Sequence, residues 1–321
     1  MAVGTVRVIE PGLLTTIEDA RGRPGLGRFG VAPGGAMDAP AARLANRLVG
    51  NEGDEPVLEI TLHGPRLEWA DGAHVGLAGA DLGAVAGGLE LPPGHSYVLR
   101  PGSLLRFRGA RAGARAYLAV EGGFEIPMVL GSTSTDRRSG FGGLDGRALR
   151  EGDVLRFGPA RSSGPELRTA VVEPTDPDRR LRLIPTPAGF GWFAPGAVRT
   201  FCATRWTVAP DSDRSGIRLT GARLDTLTTG FPSLGVPVGS VQVPPGGQPI
   251  VTMVDGPVTG GYPVLGVVAR LDLPRLAQAV PGSTLRFARV SVADVRRASL
   301  AEEGLARVDL DAGDFAAGWA G

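Results

Sequence analysis

No stretch of this chain runs far without a break. Glycine occurs 50 times and proline 27 times in 321 residues, with no fixed period. The missing period excludes a collagen-like fibre, and the Val, Leu and Ile runs between the breaks argue against a disordered chain. Glycine weakens a helix interior and proline removes its hydrogen bonds, so helices must be few. What remains is a β-rich protein of many short strands joined by tight turns. A chain of this length, with an apolar content of 42%, can bury a sizeable core and suggests two domains.

The net charge of +1 gives no footing for nucleic acid or an anionic membrane as the main partner. All 34 basic residues are arginine. Without lysine the chain supports no Schiff base, no P-loop lysine and no biotinyl-lysine. Cys202, the lone cysteine, rules out an internal disulfide or a cysteine metal cluster and is expected as a buried structural thiol. The N-terminal MAVGTVRVIEPG lacks a signal-peptide apolar core, and no apolar run reaches membrane-spanning length, so a cytoplasmic protein is expected.

Three phrases recur in the same order. Ile60-Thr-Leu-His-Gly-Pro-Arg-Leu-Glu68 is echoed by Ile217-Arg-Leu-Thr-Gly-Ala-Arg-Leu-Asp225. Leu91-Pro-Pro-Gly94 is echoed by Val243-Pro-Pro-Gly246, and Pro101-Gly-Ser-Leu-Leu-Arg-Phe107 by Pro281-Gly-Ser-Thr-Leu-Arg-Phe287. Each couples apolar residues to a Gly or Pro turn, and together they suggest duplication of one β module. Glu151-Gly-Asp-Val-Leu-Arg-Phe157 fits the last pattern too, so such phrases also recur by chance. The polar, proline-bearing stretch Ala160 to Arg180 is the linker candidate. The expected organisation is a first half at 1–173, a second at 174–298 and a C-terminal tail at 299–321. Helices are expected at Asp38 to Val49, with Asp38 as N-cap, and at Pro195 to Phe201, Asp272 to Ala279 and Ser291 to Glu303.

The segment Val241 to Pro263 carries five glycines and five prolines around one apolar run, Ile250 to Val254. That pattern fits a strand feeding a rigid, ligand-approachable loop, or a plain decorated turn. The loop Gly131 to Gly143 sets five hydroxyls and two arginines among glycines. It could hold a carboxylate, carbamate or phosphate, or be a solvated crossover loop. Gly22 to Gly25 and Gly34 to Asp38 could present backbone N–H groups to an anion. No G-x-S-x-G elbow occurs, His63, His74 and His95 are not at metal-ligand spacing, and Asp211-Ser-Asp-Arg lacks the calcium-loop pattern, so no metal site is expected.

The ordered phrases Glu18-Asp-Ala-Arg-Gly-Arg-Pro-Gly25, Phe29-Gly-Val-Ala-Pro-Gly-Gly-Ala-Met-Asp38, Ala45-Asn-Arg-Leu-Val-Gly-Asn51 and Leu58-Glu-Ile-Thr-Leu-His-Gly64 add up to a family. So do Ala116-Tyr-Leu-Ala-Val-Glu-Gly-Gly123, Gly131-Ser-Thr-Ser-Thr135, Gly140-Phe-Gly-Gly-Leu-Asp-Gly-Arg147, Asp213-Arg-Ser-Gly-Ile-Arg-Leu219 and Thr259-Gly-Gly-Tyr-Pro263. From about residue 5 to residue 300 the chain resembles the biotin-dependent carboxyltransferase-like family. That family spans the C subunit of bacterial 5-oxoprolinase, allophanate hydrolase subunit 2, half of the urea carboxylase carboxyltransferase domain, and a sporulation-kinase regulator.

The resemblance implies a mainly β fold of two cyclophilin-like β-barrel domains with a few short helices. It implies partner subunits: a kinase-inhibitor-like B subunit and, for lactam opening, an A subunit. The activity expected is that of a subunit of an ATP-dependent 5-oxoprolinase, opening pyroglutamate to glutamate. The alternatives are carboxyl transfer from carboxybiotin to urea or a related amide, and a non-catalytic regulator of a kinase-inhibitor-like partner. No covalently bound cofactor is expected; ATP would be used with the partner subunits, and biotin would ride on another protein. For a small anionic amide, Arg138 and Arg214 are the candidates for its carboxylate. Gln242, Thr259, Gly260, Gly261 and Tyr262 are the candidates for its amide edge, and Asp255 is the candidate acid/base. The chain departs from the family pattern in three places. It reads Glu18-Asp19 where members often read Gln-Asp, inserts Arg21, and reads Asp255-Gly-Pro-Val-Thr-Gly-Gly-Tyr-Pro-Val264 where Arg, Gln, Thr and a final Lys are common.

Overall fold

The structure, a computed structural model, describes residues 4–159, 167–170, 180–187, 191–227, 231–305 and 310–311. The chain is mainly β, in two barrel-like units, with four α-helices among the described residues. The units are not consecutive stretches. Unit 1 comprises Met1–Arg23, Gly34–Glu173 and Val308–Gly321; unit 2 comprises Pro24–Pro33 and Pro174–Arg307. The main piece of unit 2 starts at Pro174, but an early segment joins it, and the strand Leu310–Asp311 pairs with Thr169–Ala170 in unit 1. Most of the linker candidate, and of the tail at 299–321, lies outside the described residues.

Unit 1 holds two antiparallel sheets. One orders Val154–Phe157, Gly4–Glu10, Arg66–Trp69, Ser103–Phe107, Ala84–Ala86 and Leu89–Glu90; the other runs Leu14–Glu18, Val57–Thr61, Ala112–Val120, Ala73–Asp81, His95–Leu99, Thr169–Ala170 and Leu310–Asp311. The period of two is plain in the first sheet: Val6 and Val8 are fully buried while Arg7 is exposed. Their side chains meet Ile17, Leu58, Ile60 and Val75 of the second sheet in one apolar core. Val57–Thr61 and Ala112–Val120 are instead buried on both faces. The cause is the helix Ala39–Leu48, whose Ala41, Ala42 and Ala45 pack on Val57, Ala78, Tyr117 and Ala119. Asp38 caps this helix as expected, accepting from Ala41 N at 3.1 Å.

Unit 2 centres on one eight-stranded sheet. Its order is Thr284–Leu285, Trp206–Val208, Gly216–Thr220, Ile250–Thr252, Ser240–Gln242, Val264–Val268, Leu181–Pro185 and Phe287–Arg289. The two edge strands are consecutive in the chain, with only Arg286 between them. A flat sheet cannot satisfy that, so the sheet curls until its edges nearly meet, as in a barrel. The remaining helices are Ala197–Ala203, Leu273–Ala277 and Val292–Leu305. The last has its expected box: Ser291 Oγ accepts from Asp294 N at 3.2 Å and Asp294 accepts from Ser291 N at 2.9 Å. Asp272, by contrast, does not cap its helix; its carboxylate binds Arg182 at 2.6–2.9 Å.

In two of the echoes the local roles match. Each Pro-Pro-Gly phrase precedes a strand, His95–Leu99 or Ile250–Thr252, and each Pro-Gly-Ser phrase leads into one, Ser103–Phe107 or Thr284–Leu285.

Glycine is required where the first helix crosses the sheet. A Cβ on Gly76 would run into the Ala45 carbonyl oxygen and press on Leu48. Gly76→Ala is therefore expected to cost about 1–3 kcal/mol through forced helix displacement, read as a lowered thermal unfolding midpoint.

Candidate functional site

The glycine-rich loops of unit 1 are anion-binding loops, and the anions are the protein's own carboxylates. Asp19, almost fully buried, accepts five hydrogen bonds. Its Oδ2 takes Ser132 Oγ at 2.6 Å, Thr133 N at 2.7 Å and Thr133 Oγ1 at 3.1 Å. Its Oδ1 takes Gly22 N at 2.6 Å and Arg21 N at 3.1 Å. Thr135 Oγ1 turns to the Ile17 carbonyl at 2.8 Å. Arg23 is buried beside them, donating to Ser134 O at 2.6 Å and Val129 O at 3.1 Å, with its guanidinium 4.8 Å from the centre of the Phe141 ring. The second glycine pair behaves alike. Met37 N donates to Glu59 at 2.8 Å, and Asp38 N to Tyr117 Oη at 2.8 Å, which itself donates to Glu59 at 2.9 Å. Burial, and then the charge of Glu59, push the Tyr117 phenol well above its ordinary value, so it stays a donor. The donors of these loops named above are thus engaged internally. Arg138, on the exposed 136–141 turn of the same loop, makes no side-chain hydrogen bond or ion pair with a described residue.

In unit 2, Arg214 and Asp255 find each other across 41 residues. Arg214 Nε donates to Asp255 Oδ2 at 2.7 Å and Nη2 to Oδ1 at 2.9 Å, and Asp255 N returns to Arg214 O at 3.0 Å. The Arg214 side chain is only 4% exposed and that of Asp255 18%. This two-pronged fork is the strong form of an ion pair, and it ties the 213–216 turn to the start of the 256–263 loop. The two candidates thus meet as a pair.

Beyond Asp255 the chain forms a two-stranded ribbon, Thr259–Gly260 against Leu234–Gly235. Gln242 lies beneath it, 6% exposed. Its Oε1 is 3.4 Å from Thr252 Oγ1, while its Nε2 has no hydrogen-bond partner among the described residues. A Cβ on Gly260 would come 2.7 Å from that Nε2 and 3.2 Å from Val236 Cγ2, so only glycine lets the ribbon lie this close. Thr259, Gly261 and Tyr262 are exposed on the ribbon. The early segment Pro24–Pro33 reaches the same loop: a Cβ on Gly27 would be 3.8 Å from Val258 Cγ1. The structure therefore gathers Gln242, Asp255, Arg214 and the 259–262 ribbon in unit 2, and leaves Arg138 in unit 1.

Other titratable groups bear on stability. Cys202 is half-buried, less covered than expected, and burial raises its thiol. Among the described residues no three His, Cys, Asp or Glu side chains are grouped so as to hold a metal ion. His74, set aside as a metal ligand by its spacing, is buried with Nδ1 3.2 Å from Glu121 Oε2. Burial, the largest effect, pulls its imidazole below the ordinary 6.5, and Glu121 opposes this.

Residues 29–289 match the family described as carboxyltransferase domain, subdomain A and B. With that match over most of its length, the chain belongs to the carboxyltransferase-domain family. It is 36% identical to the C subunit of 5-oxoprolinase from Escherichia coli (strain K12) over 300 residues, 91% of this chain and 94% of that protein. It is 32% identical to the urea amidolyase of Lachancea kluyveri over 307 residues, 88% of this chain but 17% of that protein. The crystal structure of the K. lactis urea amidolyase superimposes with a TM-score of 0.85 at 28% identity, covering 94% of this chain and 19% of that one.

The His74 geometry yields a pH expectation. Between 6.5 and its lower folded value, the unfolded chain holds a proton that the native imidazole refuses. Stability therefore falls as pH drops through that window. Urea melts between about pH 7 and pH 5 should show a smaller loss for His74→Gln than for the wild type.

Proposed function

We propose that this chain is the C subunit of an ATP-dependent 5-oxoprolinase, acting with partner subunits to open the lactam of pyroglutamate to glutamate. The observation that carries this reading is one of extent: the chain corresponds nearly end to end to the 5-oxoprolinase C subunit, and to under a fifth of a urea amidolyase. Lactam hydrolysis breaks the ring C–N bond, places a hydroxyl on the carbonyl carbon and returns a proton to nitrogen. A chain without lysine offers neither a P-loop lysine nor a biotin attachment point, and the ATP that would activate the amide is assigned in this reading to the partner subunits.

The residues proposed for this chain's share are those of the unit 2 loop. The ribbon at Thr259, Gly260, Gly261 and Tyr262 is the exposed surface that would meet the amide edge. Lifting it would free the Gln242 amide, a buried donor without a partner among the described residues, for the lactam carbonyl. Asp255 is the carboxylate placed to move a proton once one oxygen leaves the fork, and Arg214 is its positioning residue. Arg138 is kept as a candidate for the substrate carboxylate. The B-type partner would cover the ribbon and complete the site.

The family match itself favours a second reading, carboxyl transfer to urea or a related amide from biotin carried elsewhere. A regulatory role on a kinase-inhibitor-like partner is the third. Assays of the co-purified complex separate them. Glutamate release from pyroglutamate that requires ATP is the expected result. Carboxylation of urea by a complex with a biotin carboxylase favours the second reading, and neither activity favours the third.

Two outcomes are expected within the first reading. The isolated chain should show essentially no turnover; robust turnover alone would refute the need for partners. Gly260→Val, which forces the ribbon off Gln242, should lower kcat/KM of the complex roughly tenfold or more, about 1.4 kcal/mol of transition-state stabilisation. A fully active Gly260→Val complex would return the ribbon to a structural turn.

A further inference from the structure

The Leu58–Gly64 phrase has no part in the proposed lactam chemistry, yet it borders a cleft of about 490 Å³ on unit 1. The cleft opens on the outer face of the six-stranded sheet and shares no residue with the 255–263 loop. Its polar lining is His63, Arg66, Arg106, Arg108 and Glu10, with Leu104 as an apolar wall. The strand Ser103–Phe107 buries Leu105 and Phe107 and turns Leu104 and Arg106 outward, and the alternation carries Arg108 to the same side.

Three features make this more than a solvated sheet face. First, Arg66 and Arg106 stand directly opposite each other on paired strands. Like charges in that relation repel, and nothing in the sheet's hydrophobic pattern requires them there. Second, the carboxylates nearby, Glu10, Glu68 and Glu90, leave Arg106 without an ion pair among the described residues. Glu10 pairs with Arg66 at 3.5 Å. Arg108 reaches Glu90 at 3.5 Å, but both Glu90 oxygens already accept from Arg111, at 2.6 and 3.0 Å. Arg106 makes no ion pair or side-chain hydrogen bond with any described residue. Third, the rim is held in an uncommon backbone conformation: Leu62 has φ of +55°, and a tight turn from His63 N to Thr61 O at 2.7 Å brings His63 to the edge. A non-glycine residue with positive φ is a cost that tends to be kept where geometry serves binding. Gly64 behind it admits no Cβ, which would lie 2.7 Å from Ile60 and Phe107, so the floor of the cleft is close-packed.

We propose that this cleft is a binding site for a small phosphate-class polyanion. Three guanidiniums line the cleft against the single lining carboxylate of Glu10, and that of Arg106 has no ion pair among the described residues, an excess that suits an anion. Guanidinium forks suit tetrahedral oxyanions, the His63 imidazole adds a donor at the rim, and the volume is that of a small-molecule pocket. Inorganic phosphates and phosphates of a larger molecule share this chemistry; Leu104 gives the latter an apolar wall to lie on.

The test uses the full-length chain with inorganic pyrophosphate at low ionic strength. Isothermal titration is expected to show saturable single-site binding that weakens at least tenfold in Arg106→Gln. Arg156→Gln, on the same sheet but outside the cleft, should bind as the wild type does. Thermal melts give a second readout. Without anion, Arg106→Gln should melt above the wild type because the opposed charges are gone; with pyrophosphate the wild type should gain and the variant should not. ADP binding tighter than pyrophosphate assigns the site to a phosphate carried on a larger molecule, and equal affinity assigns it to the free anion. Absence of saturable binding, or equal affinity in Arg106→Gln and wild type, overturns the proposal.

Discussion

Unit 1 is organised around one buried carboxylate. Asp19 gathers donors from the 21–22 turn and from the 132–133 loop, more than a hundred residues away, on two oxygens. Charge-assisted bonds of this kind are strong where water is excluded, and each donor would be costly to leave buried without an acceptor. Asp19 therefore sets the path of the chain before Arg23 and the seating of the Ser-Thr-Ser-Thr loop together. Arg23, packed under Phe141 and bound to the Ser134 and Val129 carbonyls, extends the same link to the 140s. Glu59 repeats the arrangement on a smaller scale at the start of the first helix, where Met37 N and the Tyr117 hydroxyl converge on it.

This explains what could and could not be read from the sequence. Local grammar was legible. The Asp38 cap, the Ser291–Asp294 box and the glycine and proline punctuation act within a few residues, and the structure has them at the expected positions. The anion-binding character of Gly22–Gly25, Gly34–Asp38 and Gly131–Gly143 was also legible. Its occupants were not: Asp19 sits next to the 21–22 turn in the sequence, but that it also takes the 132–133 donors, and that Glu59 takes those at 37 and 117, depends on contacts far apart in the chain. The same limit hid the Arg214–Asp255 fork. Composition presents one arginine and one acid as two chemical tools, and only the turn at 213–216 and the bend at 253–256 make them one. Nor does any local signal announce that Pro24–Pro33 joins the second unit, or that His74 and Glu121 share a buried bond.

The family likeness and the physical reading meet in the 255–263 loop without duplicating each other. The likeness says that members of this family share a fold and act within larger assemblies. The physics says which parts of the loop are free to act: an exposed ribbon, thin enough at Gly260 to lie on a buried amide, anchored at one end by an ion pair. Replacement of the common polar residues by Gly256, Pro257 and Val258 leaves that anchor intact and removes functional groups beside it. Under the function proposed above, the ribbon backbone, Gln242 or another subunit would supply that chemistry.

The closure of the unit 2 sheet also constrains the order of events during synthesis. The strands that complete it, Thr284–Leu285 and Phe287–Arg289, come long after their partners Trp206–Val208 and Leu181–Pro185 in the sequence. Until residue 289 is made, both of those earlier strands present rows of unpaired N–H and C=O groups, the template on which foreign strands pair. One short run of six residues then covers both edges at once. Nascent chains halted before Thr284 are thus the form of this protein most exposed to edge-to-edge association, and a few further residues replace two long-waiting edges with two short strands that nearly meet.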